Sequence, residues 1–169
     1  MSAEDENFRV QTIKVLFLDI DGVLNNEESC NSPEALKRAK DDVGFMMTER
    51  CFHPDCVANI REILDRTGAV MVMSSAWKSF FSESNVALIR AGLPPCIDKA
   101  GWTKGATNRG ECIDAWLKKH EQWMEIESFV IIDDSRDMLE NQMANFVNTK
   151  SKIGITKEEA EKAIEILGE

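Results

Sequence analysis

Val15-Leu16-Phe17-Leu18-Asp19-Ile20-Asp21-Gly22-Val23-Leu24 is an apolar run that meets two carboxylates separated by one residue, with glycine next. Such a run reads as a strand buried on both faces, as in parallel sheets, and it delivers Asp19 and Asp21 to its carboxyl end, where open α/β sheets place their ligands. Two clustered carboxylates repel unless a cation sits between them or one keeps its proton. A divalent metal is the economical answer, and oxygen ligands favour Mg²⁺. Asp19 then becomes a candidate nucleophile.

The pattern recurs along the chain. Ala69-Val70-Met71-Val72-Met73 is a second short apolar run, and it leads directly into Ser74-Ser75. Ser128-Phe129-Val130-Ile131-Ile132 is a third, ending in Asp133-Asp134, and Phe146-Val147 marks a further strand. Between them lie helical patterns. Pro54 opens one whose Val57, Ile60, Ile63 and Leu64 recur at helical spacing until Gly68 stops it. Others run through Val86 to Arg90 and through Ile113, Trp116 and Leu117, and Thr156-Lys157-Glu158-Glu159 is a capping box ahead of Ala160, Ala163, Ile164 and Leu167. Strands alternating with helices at this spacing predict an α/β fold, a doubly wound, mostly parallel sheet with helices on both faces.

Each polar set has an ordinary structural reading. The serines suit an N-cap, and Asp133-Asp134 suit a turn capping a helix around Met138. What favours chemistry is that all three sets stand immediately after a buried strand. A hydroxyl from Ser74 or Ser75, with backbone N–H groups past a strand end, suits phosphoryl oxygens.

These residues resemble the four ordered motifs of the haloacid dehalogenase (HAD) superfamily: Asp19-Ile20-Asp21-Gly22-Val23-Leu24, then Ser74, then a basic residue before the next helix, then Asp133-Asp134. Phe17 to Asn25, Val72-Met73-Ser74-Ser75-Ala76-Trp77-Lys78, Arg109-Gly110-Glu111 and Ile131 to Ser135 are similar in particular to the small HAD domains of Swiss Army Knife RNA-repair proteins, over about residues 13 to 167. The resemblance implies a Rossmannoid core with little or no cap domain and a phosphoric monoester hydrolase. It implies that Asp19 attacks phosphorus, that Asp21 protonates the leaving oxygen and then activates water, and that Ser74 holds the phosphoryl group. Ser75 is expected to add a hydrogen bond. Mg²⁺ is expected among Asp19, the Asp21 carbonyl and Asp133, with Asp134 helping. Arg109 is the choice for the phosphate-pairing cation, although superfamily members often carry lysine there, and Lys104 is the second choice. Lys78 is a candidate phosphate contact, and Trp77 is read either as a core anchor or as a stacking platform.

Length and charge bound the rest. The chain has 169 residues, enough for one domain with a full core. Residues 1 to 12 read as a flexible acidic arm and 13 to 169 as the single domain, with a flap at about 25–51 in which Ser32-Pro33-Glu34 offers a helix start. A formal charge of −10 opposes a broad basic footprint for nucleic acid or membrane. The substrates expected are a phosphorylated small molecule, a nucleotide or a polynucleotide end. A polynucleotide would need a local basic rim from Lys78, Arg109, Lys104, Lys37, Arg38 and Lys40. No obligate protein partner is evident. The first residues lack a signal peptide's basic and apolar regions, so the cytoplasm is expected.

Five irregularly spaced cysteines suit free thiols, and Cys51-Phe52-His53-Pro54-Asp55-Cys56 reads more readily as a helix start than as a zinc site. A receiver-like signalling module is disfavoured because the double aspartate follows the serine. A catalytically idle phosphate- or protein-binding module on the same fold is the alternative function.

Overall fold

A computed structural model of the chain describes residues 12–33, 36–37, 51–101 and 105–169. The elements run β1 (Thr12–Leu18), the one-turn helix α1 (Glu27–Cys30), α2 (Pro54–Thr67), β2 (Val70–Met73), a 3-10 helix (Ala76–Phe80), α3 (Phe81–Arg90) and β3 (Asp98–Lys99), followed by α4 (Arg109–His120), β4 (Glu125–Asp133), a second 3-10 helix (Glu140–Asn145), β5 (Phe146–Asn148) and α5 (Lys157–Leu167). All strand pairings are parallel, in the order β3-β2-β1-β4-β5. The opening sequence is thus the central strand. Val15, Leu16, Phe17 and Leu18 are completely buried because helices cover both faces of the sheet.

Alternation along the strands sorts the core into two layers. Leu16, Leu18, Met71, Met73, Val130 and Ile132 meet Ile60 and Ile63 of α2, Leu88 of α3, and Ala163 and Ile164 of α5. Val15, Phe17, Val72 and Ile131 face the other way, onto Ile113, Trp116 and Leu117 of α4. Phe17 packs edge-on to Trp116, with ring centroids 5.3 Å apart.

The helix boundaries follow from local chemistry. His53 accepts the Asp55 N–H at the start of α2, Pro54 needs no donor there, and Gly68 ends the helix at φ 67°. The Thr156 and Glu159 side chains close the capping box of α5. Asn108 caps α4 through the Glu111 N–H at 2.9 Å. None of the five cysteines is in a disulfide, and Cys51 and Cys56 are buried around the α2 start.

Three local differences from the expectations have physical causes. The helix expected around Met138 is absent; residues 134–139 carry no helix, and the turn at Glu140–Asn145 is 3-10. The polar groups there are engaged elsewhere: Ser135 N–H bonds Asp133 Oδ1, while the Asp137 carbonyl and carboxylate accept the N–H groups of Gly110 and Arg109. A helical turn, α1, begins six residues before the expected start at Ser32-Pro33, because Asn26 and Ser29 cap each other. A turn at Ser32-Pro33 is present as well, where Leu36 N–H bonds the Ser32 carbonyl. The strand β3 was not anticipated, being two polar residues long.

The expected arm lies outside the described residues apart from Thr12, which begins β1, and so do 34–35 and 38–50 of the expected flap, including Arg38 and Lys40. Among the described residues, no helix is long and apolar enough to cross a membrane.

Candidate active site

Strand register builds the site. Where β1 ends, Leu18 pairs with Met73 of β2 on one side and with Ile132 of β4 on the other. One step further, Ser74 N–H donates to the Leu18 carbonyl at 3.0 Å and Asp19 N–H to the Ile132 carbonyl at 3.1 Å. Ser74, Asp19 and Asp133 therefore stand at one level on three adjacent strands, spaced by roughly 4.8 Å. Asp19 and Asp133 share the parity of Phe17 and Ile131, which carries them onto the α4 face.

Arg109 is the first residue of α4 and meets both. Its Nη1 lies 3.2 Å from Asp19 Oδ1 and also donates to Asp133 Oδ2 in a short, direct pair. The backbone that holds it is tightly fitted. Asp137 Oδ2 accepts the Arg109 N–H at 3.2 Å, and a Cβ on Gly110 would come within 2.6 Å of the Leu139 nitrogen. Only glycine lets the start of α4 approach the 137–142 segment so closely.

Electrostatics at this corner are dominated by burial. Asp19 is 3 % exposed and Asp133 is fully buried. Desolvation, then the Asp133 charge, push the Asp19 carboxyl up to about 7, with Arg109 opposing. Asp133 is also raised, by burial first, against the pull of Arg109. Burial works against the Arg109 charge, but Asp19 and Asp133 more than offset it and the guanidinium is held above its usual value.

One oxygen each of Asp19, Asp133 and Asp134 lies within 4.8 Å of the others, and this is the only such group of acidic, histidine or cysteine side chains among the described residues. Three hard carboxylate oxygens, two of them on buried residues, fit a divalent cation such as Mg²⁺. The Asp21 carboxylate stands apart from that trio; the expectation for this residue was its backbone carbonyl. Gly22, at φ 77°, lets the chain turn against Asp134, where a Cβ would lie 2.5 Å from Oδ2.

Asp21 is exposed, and its two oxygens accept from Trp77 Nε1 at 3.0 Å and Asn25 Nδ2 at 2.7 Å. Trp77 is buried with its ring 5.7 Å from Phe52, so the core-anchor reading holds and the buried ring is no stacking platform. The role of its indole N–H was not legible in sequence. Neither was that of Asn25, which stood inside the quoted motif without an assigned part.

The two serines differ. Ser75 Oγ accepts the Trp77 N–H at 3.3 Å and hydrogen-bonds the Asp19 carboxylate. Ser74 Oγ is buried with no hydrogen-bond partner. An orphaned buried hydroxyl beside the nucleophile candidate is what a phosphoryl oxygen would satisfy. Lys78 is buried rather than a solvated helix-start lysine, and its Nζ donates to the Ala100 carbonyl at 3.0 Å. Burial lowers its pKa, and it is close enough to Arg109 and Asp19 for both charges to act on it. Lys104 lies outside the described residues.

The order and placement of these groups agree with the comparison to known families. Residues 15–160 match the family model described as HAD domain in Swiss Army Knife RNA repair proteins. No similar curated protein and no similar solved structure is found. With the match spanning nearly the whole sheet and every motif residue at a strand end or at the start of α4, the chain belongs to the family of HAD domains in Swiss Army Knife RNA repair proteins.

Proposed function

We propose that the protein is a Mg²⁺-dependent phosphomonoester hydrolase that works through an aspartyl-phosphate on Asp19, with nucleotides or polynucleotide ends as the favoured substrates. The observation that carries this reading is the level arrangement of Ser74, Asp19 and Asp133 beside Arg109, with the Ser74 hydroxyl lacking a partner. Asp19, Asp133 and Asp134, with the Asp21 carbonyl, would hold Mg²⁺. When bound, the cation supplies charge neutralisation between the carboxylates and the phosphoryl oxygens.

This chain's residues do the rest. Ser74 Oγ donates to one phosphoryl oxygen, and Arg109, released from part of its carboxylate pairing, donates to others. An Asp19 carboxylate oxygen attacks phosphorus, and the bond to the leaving oxygen breaks with its electron pair. Asp21 gives that oxygen a proton. In the second half Asp21 takes a proton from water, which attacks the same phosphorus; orthophosphate departs and Asp19 is regenerated. Lys78 adds positive charge behind this corner, held by the Ala100 carbonyl.

The net charge of −10 favours substrates presenting one terminal phosphate over long contact with a polyanion. The family's printed association with RNA repair supports a nucleic-acid end. The test is Mg²⁺-dependent phosphate release from p-nitrophenyl phosphate, mononucleotides and RNA or DNA phosphorylated at the 5′ or 3′ end, with Asp19→Asn alongside. Release that vanishes in the variant and in chelator is expected. A folded wild type that releases nothing from any of them would replace the enzyme by a phosphate-binding module.

A further inference from the structure

An exposed aspartate ordinarily samples several rotamers, yet each oxygen of Asp21 is engaged by a different neutral donor. Trp77 Nε1–H donates to Oδ2 at 3.0 Å and Asn25 Nδ2–H to Oδ1 at 2.7 Å. The Asn25 amide has one sensible orientation, because its Oδ1 accepts the Gly22 N–H at 3.0 Å and so turns Nδ2 toward Asp21. The indole is a donor only and cannot exchange roles with the carboxylate.

Trp77 is itself fixed. Its ring packs on Phe52, its backbone N–H donates to Ser75 Oγ at 3.3 Å, and its backbone carbonyl accepts Ser84 Oγ–H at 3.1 Å. The same short segment after β2 thus carries Ser74 and Ser75 beside Asp19 and, two residues later, the indole that reaches Asp21.

We propose, on the reading of Asp21 as acid and base given above, that Trp77 is a positioning residue: its indole N–H, with Asn25, holds the Asp21 carboxylate over the site. Asp21 must serve the leaving oxygen in one half-reaction and the attacking water in the other, so a carboxylate free to swing into solvent would be misplaced for both. Small displacements of such a group cost on the order of 100-fold in rate.

Two measurements test this on the full chain. The first is a double-mutant cycle of Trp77→Phe and Asp21→Ala with p-nitrophenyl phosphate and Mg²⁺. Trp77→Phe is expected to lower kcat about 10- to 100-fold with little change in KM, and to add almost nothing once Asp21 is already alanine. Equal losses in both backgrounds would mean a packing role and overturn the proposal.

The second measurement needs no activity and does not depend on Trp77→Phe folding well. In metal-free wild type, the Trp77 indole ¹H–¹⁵N resonance, assigned by site-specific labelling, is expected to move upfield in Asp21→Ala. An unmoved resonance overturns the proposal. If the wild type hydrolyses nothing while the resonance moves, the phosphatase reading fails and the hold of Trp77 on Asp21 stands.

Discussion

Arg109 Nη1 lies 3.2 Å from Asp19 Oδ1 and also bonds Asp133, so one guanidinium bridges two carboxylates that arrive on different strands. Removing it leaves two buried acids facing each other. Arg109→Ala is expected to lose about 3 kcal/mol of stability at pH 8 in chelator, and less at pH 5, where Asp19, which titrates at about 7, holds its proton. Urea unfolding at the two pH values measures the difference; equal losses would mean that the pairing contributes little.

The raised Asp19 pKa gives a signed pH dependence in metal-free protein. The folded state binds this proton more tightly than the unfolded chain, in which the carboxyl titrates near 3.8, while in the fold it titrates at about 7. The stabilisation is therefore complete below about pH 4 and is lost as pH climbs toward 7. Asp19→Asn, which mimics the neutral acid, should flatten that decline and be the more stable protein above pH 7. Unfolding free energies from pH 4 to 8 in chelator would reveal either slope.

Ser74 and Ser75 should separate cleanly. Ser74→Ala removes a buried hydroxyl that has no partner, so stability holds or rises slightly while phosphate release falls on the order of 10- to 100-fold. Ser75→Ala removes the cap on Trp77 N–H and should lower stability by about 1 kcal/mol. Thermal melts and kinetics on both variants decide; a reversed pattern would move the phosphate contact to Ser75.

Gly110→Ala tests how Arg109 is held. The new methyl group would meet the Leu139 nitrogen, Gln142 Oε1 and the Met138 Cα at 2.6, 2.8 and 2.9 Å, two of them backbone atoms. Expected are a loss of about 1–3 kcal/mol and weaker orthophosphate binding as α4 lifts from the 137–142 segment. Wild-type stability in this variant would show that the segment yields easily.

The sequence by itself determined the buried strands, the carboxylates and hydroxyls at their ends, and the caps of α2 and α5, because periodicity and capping act within a few residues of one another. Asp19, Ser74, Asp133 and Asp134 were legible as candidates for the same reason, each standing where a buried strand stops, and Arg109 because it stands where a helical pattern starts. Tertiary structure alone decided what those groups touch. Trp77 and Asp21 are 56 positions apart, and Arg109 and Asp133 are 24 apart. They meet because β2 and β4 flank β1, an order that hydrophobic alternation does not encode. The two-residue β3 and the non-helical path through Asp137 have the same origin: hydrogen bonds to distant partners outweigh a weak local preference, and no local pattern announces them.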